Sequence, residues 1–128
     1  MNLEKVVFGF FILLAATLNF GFVYGDIGNP LYHNRWEFFA ALVVNIVATL
    51  IKLGDRTHVG AIHLAASLVA VIQLVAAALL WFFAPASGAE NLVGAGSMAG
   101  IVSLAAGALL ANLVSVTILI VETTVQRR

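Results

Sequence analysis

Apolar residues run along this chain in four long blocks, broken by three short polar interruptions. A helix needs about 20 mostly apolar residues to cross a bilayer, and each block approaches that length. The pattern predicts helices over about Leu3–Tyr24, Trp36–Leu53, Val59–Phe83 and Ala95–Val121. Gly25-Asp26-Ile27-Gly28-Asn29-Pro30, Gly54-Asp55-Arg56-Thr57-His58 and Pro85-Ala86-Ser87-Gly88-Ala89-Glu90-Asn91 read as connections, because glycine, Asx residues and proline each favour turns. Little chain is left over, so residues 1–128 are expected to form one domain. The first apolar run exceeds the roughly 7–15 residues of a secretory signal, and Glu4 spoils a basic leader. It is therefore read as a span.

Composition sharpens this reading. Hydrophobic residues make up 62% of the chain and charged residues 9%, against about 25% charged in a soluble domain. So few charges cannot wet a soluble globule. The expected fold is an all-α integral membrane bundle of four transmembrane helices, embedded in the lipid bilayer. Lys+Arg and Asp+Glu number six each, with no basic patch for nucleic acid. There are no cysteines, so thiolate chemistry is excluded.

With four spans, Lys5, Lys52, Arg56, Arg127 and Arg128 fall on one side and Arg35 alone on the other. Basic residues mark the cytoplasmic side, so both termini are expected in the cytoplasm. Tyr24, Tyr32, Trp36 and Trp81 fall at the opposite interface, where amphipathic rings anchor.

The second and fourth helices share a pattern, Ala41-Leu42-Val43-Val44-Asn45-Ile46-Val47-Ala48 beside Ala108-Leu109-Leu110-Ala111-Asn112-Leu113-Val114-Ser115. The first and third share Leu14-Ala15-Ala16-Thr17-Leu18 and Leu64-Ala65-Ala66-Ser67-Leu68. Two tandem hairpins forming a pseudo-twofold bundle would produce both pairs.

No acid or base falls near mid-span, which argues against proton-driven antiport and against intramembrane acid–base catalysis. Each helix instead carries one carboxamide: Asn19, Asn45, Gln73 and Asn112. With Thr49 they form a candidate polar lining, in which amide and hydroxyl oxygens replace water around an ion or solute. The alternative is interhelical hydrogen bonding, worth about 0.6–2 kcal/mol each. Lys52, Arg56 and Glu122 are candidate charges at the cytoplasmic mouth. Asn45, Thr49 and Lys52 share one helix face, and Lys52 is expected to snorkel to the headgroups.

Small residues recur every four positions along the fourth helix: Ala95, Ala99, Ser103, Gly107, Ala111 and Ser115. Ser103, Gly107, Ala111 and Ser115 are read as a helix-packing face, because lipid supplies no hydrophobic drive and close contact must hold helices together. Asn112 is placed off that stripe. His58 and His63 do not share a face and are read as interface histidines, not as a metal site. No nucleophile elbow, phosphate loop or dinucleotide fingerprint is present, so no catalytic residue, cofactor or metal is assigned.

Residues 19–30, 52–57 and 64–78 resemble a family of small proteobacterial inner-membrane proteins of unknown function. That resemblance implies a bacterial inner-membrane location and four helices, and assigns no functional residue. The residues themselves point to a non-enzymatic protein: a homo-oligomeric unit that binds or passes an ion or small solute. The other reading is an accessory subunit of a larger membrane complex.

Overall fold

The computed structural model describes residues 3–24, 35–54, 57–83, 86–87, 92–93 and 95–126. Its elements are α1 (Leu3–Val23), α2 (Arg35–Lys52), α3 (His58–Phe83), β1 (Ala86–Ser87), β2 (Leu92–Val93) and α4 (Ala95–Gln126). The helices follow the apolar blocks closely, and the differences lie at their ends. α3 begins where the Thr57 hydroxyl accepts the Gly60 N–H at 2.9 Å, a side-chain cap on an otherwise unpaired donor. α4 continues past Val121 to Gln126. There the Thr123 and Thr124 hydroxyls donate to the Leu119 and Ile120 carbonyls at 2.8 and 2.9 Å. The polar turn thus satisfies its hydroxyls without leaving the helix. The α3–α4 connection was expected as a turn alone, but it pairs Ala86 with Val93 and Ser87 with Leu92 in a short antiparallel ladder.

The helices form a closed ring, with α1 beside α2 and α4, and α3 beside α2 and α4. Each turns a stripe spaced three and four residues apart towards the interior, as helical geometry requires. Small side chains dominate these stripes, among them Ala15 and Ala16 on α1, Ala41 and Ala48 on α2, Ala70 and Ala77 on α3, and Ala105 and Ala108 on α4. They let backbones approach where dispersion must replace the hydrophobic effect. Large apolar residues such as Phe10, Ile72 and Leu110 face outward and are more than half exposed, the inverse of a water-soluble bundle.

Leu3–Val23, His58–Phe83 and Gly96–Val125 are long and apolar enough to cross a membrane, which makes this a multi-pass membrane protein. α2 is not among these three. It has 18 residues and carries Arg35, Glu37 and Lys52, and its length is about 27 Å at ~1.5 Å per residue.

Two apolar clusters fill the interior. The larger holds Phe22, Phe38, Leu74, Met98, Ile101 and neighbouring alanines. The smaller holds Phe8, Ile12 and Ala48, flanked by Phe11, Ile51, Val116 and Leu119. The larger ends in interlocked rings: Phe22 and Phe38 are 5.1 Å apart, and Trp81 lies 5.8 and 5.4 Å from them. We call this the aromatic end and the opposite one the charged end. Trp81 therefore packs inward, whereas Trp36 and Tyr24 are exposed. Tyr32 lies outside the described residues.

Candidate functional site

The inward stripes change character between the two apolar clusters. Asn45 on α2, Ser67 on α3, and Asn112 and Ser115 on α4 are all fully buried there. Three contacts fix a common level across the helices. Phe8 meets His63 edge-on at 4.8 Å, the Lys52 ammonium lies 4.5 Å from the Phe8 ring centre, and Gly9 abuts Leu119. Counting ~1.5 Å per residue from that level, Ser67 and Ser115 lie about 6 Å towards the aromatic end, and Asn45 and Asn112 about 10 Å. Asn19 and Gln73 lie about 15–16 Å along on the same scale. The depths of Asn45 and Asn112 agree. Leu14 and Leu64, paired in the weaker repeat, differ by about 7 Å on that rise.

Helix stripes bring these groups together but do not pair them. Thr49 donates its hydroxyl to the Asn45 carbonyl at 2.8 Å, and the Asn45 side-chain amide donates to the Ala41 carbonyl at 2.8 Å. Both bonds stay within α2. Asn45 Oδ1, both polar atoms of Asn112 and of Asn19, Ser67 Oγ, Ser115 Oγ and Gln73 Oε1 are buried with no hydrogen-bond partner. Leaving a buried polar group unpaired costs about 1–3 kcal/mol. Native interiors hold few of them, and each calls for an explanation. Among the described residues no hydrogen bond of Asn19, Asn45 or Asn112 reaches a second helix. The interior band is therefore free of charge and able to accept and donate hydrogen bonds.

Gln73 sits apart from this band. It lies on Gly107 of α4, where a β-carbon would stand 2.5 Å from Nε2. Glu37 lies in the same manner on Gly21 of α1. The other positions of the four-residue repeat on α4 do not share Gly107's role. Four residues turn a helix by about 400°, so the repeat drifts around the axis. Ser103 is exposed, Ala111 borders the larger cluster, and Ser115 is buried in the polar band. The buried face of α4 instead follows Met98, Val102, Ala105, Ala108, Asn112 and Ser115. Asn112, placed off the packing stripe by the sequence reading, is on the true one.

At the charged end, Glu122 on α4 binds Lys5 on α1 at 2.5 Å through Oε1. Its Oε2 faces His63 Nε2 at 4.0 Å. Lys52 does not snorkel. It is 5% exposed, and its ammonium rests on Phe8, a favourable electrostatic contact for a desolvated cation. Glu122 also borders an open groove of about 570 Å³ with Thr57, Val59 and Thr117. Arg56 lies outside the described residues.

His63 is fully buried and is not the interface residue the sequence reading expected. Its distance from His58 misled that reading. The informative spacing is to Ser67 and Ala70, four and seven residues on, which places His63 on the inward stripe of α3.

Residues 32–123 match the profile described as "Family of unknown function (DUF6394)". Two of the three stretches that carried the resemblance, residues 52–57 and 64–78, lie inside that match. No curated protein and no solved structure matches the chain.

Proposed function

The chain belongs to the family of unknown function DUF6394, whose description names no activity, and we propose from its own geometry that it binds and passes a small ion or polar solute. One observation carries this reading: the band of buried amide and hydroxyl groups without hydrogen-bond partners. Groups that only bridged helices would bond across helices, and these do not. A bound solute or ion would satisfy them, as amide and hydroxyl oxygens do when they replace a hydration shell. The protein in this reading is non-enzymatic and uses no cofactor.

The proposal includes four spans, α2 crossing with the others, in a bacterial inner membrane with both termini cytoplasmic. The charged end then faces the cytoplasm. A reporter fused to the C-terminus should read cytoplasmic, and one inserted at Ser87 periplasmic. We also propose a homo-oligomer. Among the described residues, Gly96 has nothing within 4 Å of its β-carbon position, and Ser103 is exposed, which leaves small residues of α4 able to meet another copy. The matched depths of Asn45 and Asn112 support the pseudo-twofold relation for α2 and α4.

Liposome flux of small cations and anions tests the main claim. Asn45→Leu and Asn112→Leu should each lower flux at least several-fold while the protein stays assembled. Normal flux in both variants sinks it. The alternative is an accessory subunit, favoured by the Phe22–Phe38–Trp81 rings that close one end of the single bundle. Purification in mild detergent separates the two. A symmetric homo-oligomer supports permeation, and a fixed partner of different sequence supports the subunit.

A further inference from the structure

We propose that His63 and Glu122 form a proton-binding pair at the charged end, taking a proton from water through the open groove beside Glu122. The argument begins with burial. His63 has no exposed surface and lies five residues inside α3. Ionisable groups in such positions are costly in a membrane protein and mark proton routes when they meet a partner of opposite sign. A phenyl ring would pack on the edge of Phe8 as well as an imidazole does. What an imidazole gains here is the carboxylate of Glu122, 4.0 Å from Nε2.

Glu122 faces Lys5 and His63 with its two oxygens. Oε1 holds the Lys5 ammonium and Oε2 faces His63. Its side chain is 19% exposed and borders the groove, whose other walls are Thr57, Thr117 and the apolar Val59, Ile118, Val121 and Val125, so the residue facing the buried ring also faces that opening. With His63 neutral, Glu122 and Lys5 balance each other's charge. When the lone pair of Nε2 takes a proton, the ring becomes a cation, and a rotation of Glu122 brings its carboxylate into contact. No bond other than N–H forms, and water supplies the proton as hydronium.

Among the described residues, these charged and titratable groups lie at the same end. α1 contributes Lys5, held on Glu122, and exposed Glu4. α2 contributes Lys52, held on the far partner of His63, the Phe8 ring. α4 contributes Glu122, and α3 itself His58, which is exposed. Further into the bundle, one turn along the same face, stands Ser67, the first hydroxyl of the polar band. A proton held at His63 therefore sits between the cytoplasm-facing carboxylate and the band that would hold the solute.

Nitrogen-15 resonances of the imidazole, read on the full chain in lipid nanodiscs, test the pair. The three histidines are His33, His58 and His63, and His63→Gln identifies the third signal. His63 should take up a proton within the pH range over which the bundle stays folded. Glu122→Gln removes the anion that faces Nε2, and the midpoint should fall. Lys5→Gln removes the cation held on Glu122 Oε1, and the midpoint should rise. Shifts of opposite sign cannot come from general loosening of the bundle, which would move both variants alike. The proposal is overturned if His63 shows no protonation in that range, if neither variant moves it, or if both move it in one direction. The readout is the ring itself, so it stands or falls apart from the flux assay.

Discussion

The two ends of the bundle are built on the same four inward stripes and differ in what those stripes carry. At the aromatic end, Phe22, Phe38 and Trp81 interlock with centroids 5.1–5.8 Å apart, a spacing typical of favourable ring pairs. At the charged end, Phe8 carries Lys52 on its face and His63 at its edge, with Glu122 beyond. The first arrangement is held by contact between aromatic faces. The second keeps His63 in reach of the carboxylate that holds Lys5. The helical period decides which residues are buried. The chemistry of each end depends on whether apolar or polar residues occupy those positions.

The largest effect should come from breaking the aromatic end. Phe38 touches Phe22, Phe39 and Trp81, so Phe38→Ala opens a cavity with no small neighbour able to fill it. Truncating a buried Phe costs about 3–5 kcal/mol in water-soluble cores. Lipid is as apolar as the core, so only the packing share is lost, and we expect about 2–3 kcal/mol. Thermal unfolding in detergent measures it, and a melting temperature within a degree of the parent refutes the rigid cap.

Next in size is Gly107→Leu. The amide end of Gln73 fills the space where its side chain must go, so either Gln73 swings out of the α3–α4 contact or the two helices separate. Overpacking of this kind costs about 1–3 kcal/mol. Gly96→Leu on the same helix is the contrast. Its β-carbon meets nothing within 4 Å, and the melting temperature should hold while any self-association through that face is lost. Equal losses in both variants would mean that close approach at Gly107 is not what holds α3 to α4.

Much of this was legible in the apolar pattern. The four helices follow from block length and turn chemistry, and Asn19, Asn45 and Asn112 were recognisable as polar residues in apolar surroundings. What a single helix does not reveal is the face its neighbours choose. Counting every fourth residue on α4 drew a stripe through Ser103, whereas burial follows the mixed three-and-four spacing through Asn112. His63 was obscured for the same reason: beside His58 it looks like part of an interface, and only the Ser67–Ala70–Leu74–Ala77 continuation turns it inward. The Lys5–Glu122 contact joins the first and last helices, and no local spacing reports a pairing so distant in sequence. The two-residue ladder at Ala86–Ser87 was too short to leave an alternating pattern.

The smallest effect is the most discriminating, because it concerns the band between the two ends. Asn45 and Asn112 lie at one depth and carry the same side chain, yet their bonding differs. The Asn45 amide donates to Ala41 and leaves only Oδ1 without a partner, whereas both polar atoms of Asn112 lack one. Leucine shares the branching of asparagine at Cγ, so shape is nearly kept and polarity is what changes. Asn112→Leu removes two unpaired groups and should stabilise the empty bundle by about 1 kcal/mol, the low end of what one such group costs. Asn45→Leu removes one unpaired group and one hydrogen bond of about 1 kcal/mol, so its net change should lie near zero. The order matters more than the values: Asn112→Leu should melt above Asn45→Leu. If both instead melt below the parent by about 0.6–2 kcal/mol, the range for interhelical hydrogen bonds, the amides are holding helices together. The contrast between the aromatic end and the charged end would then lose the band that connects them.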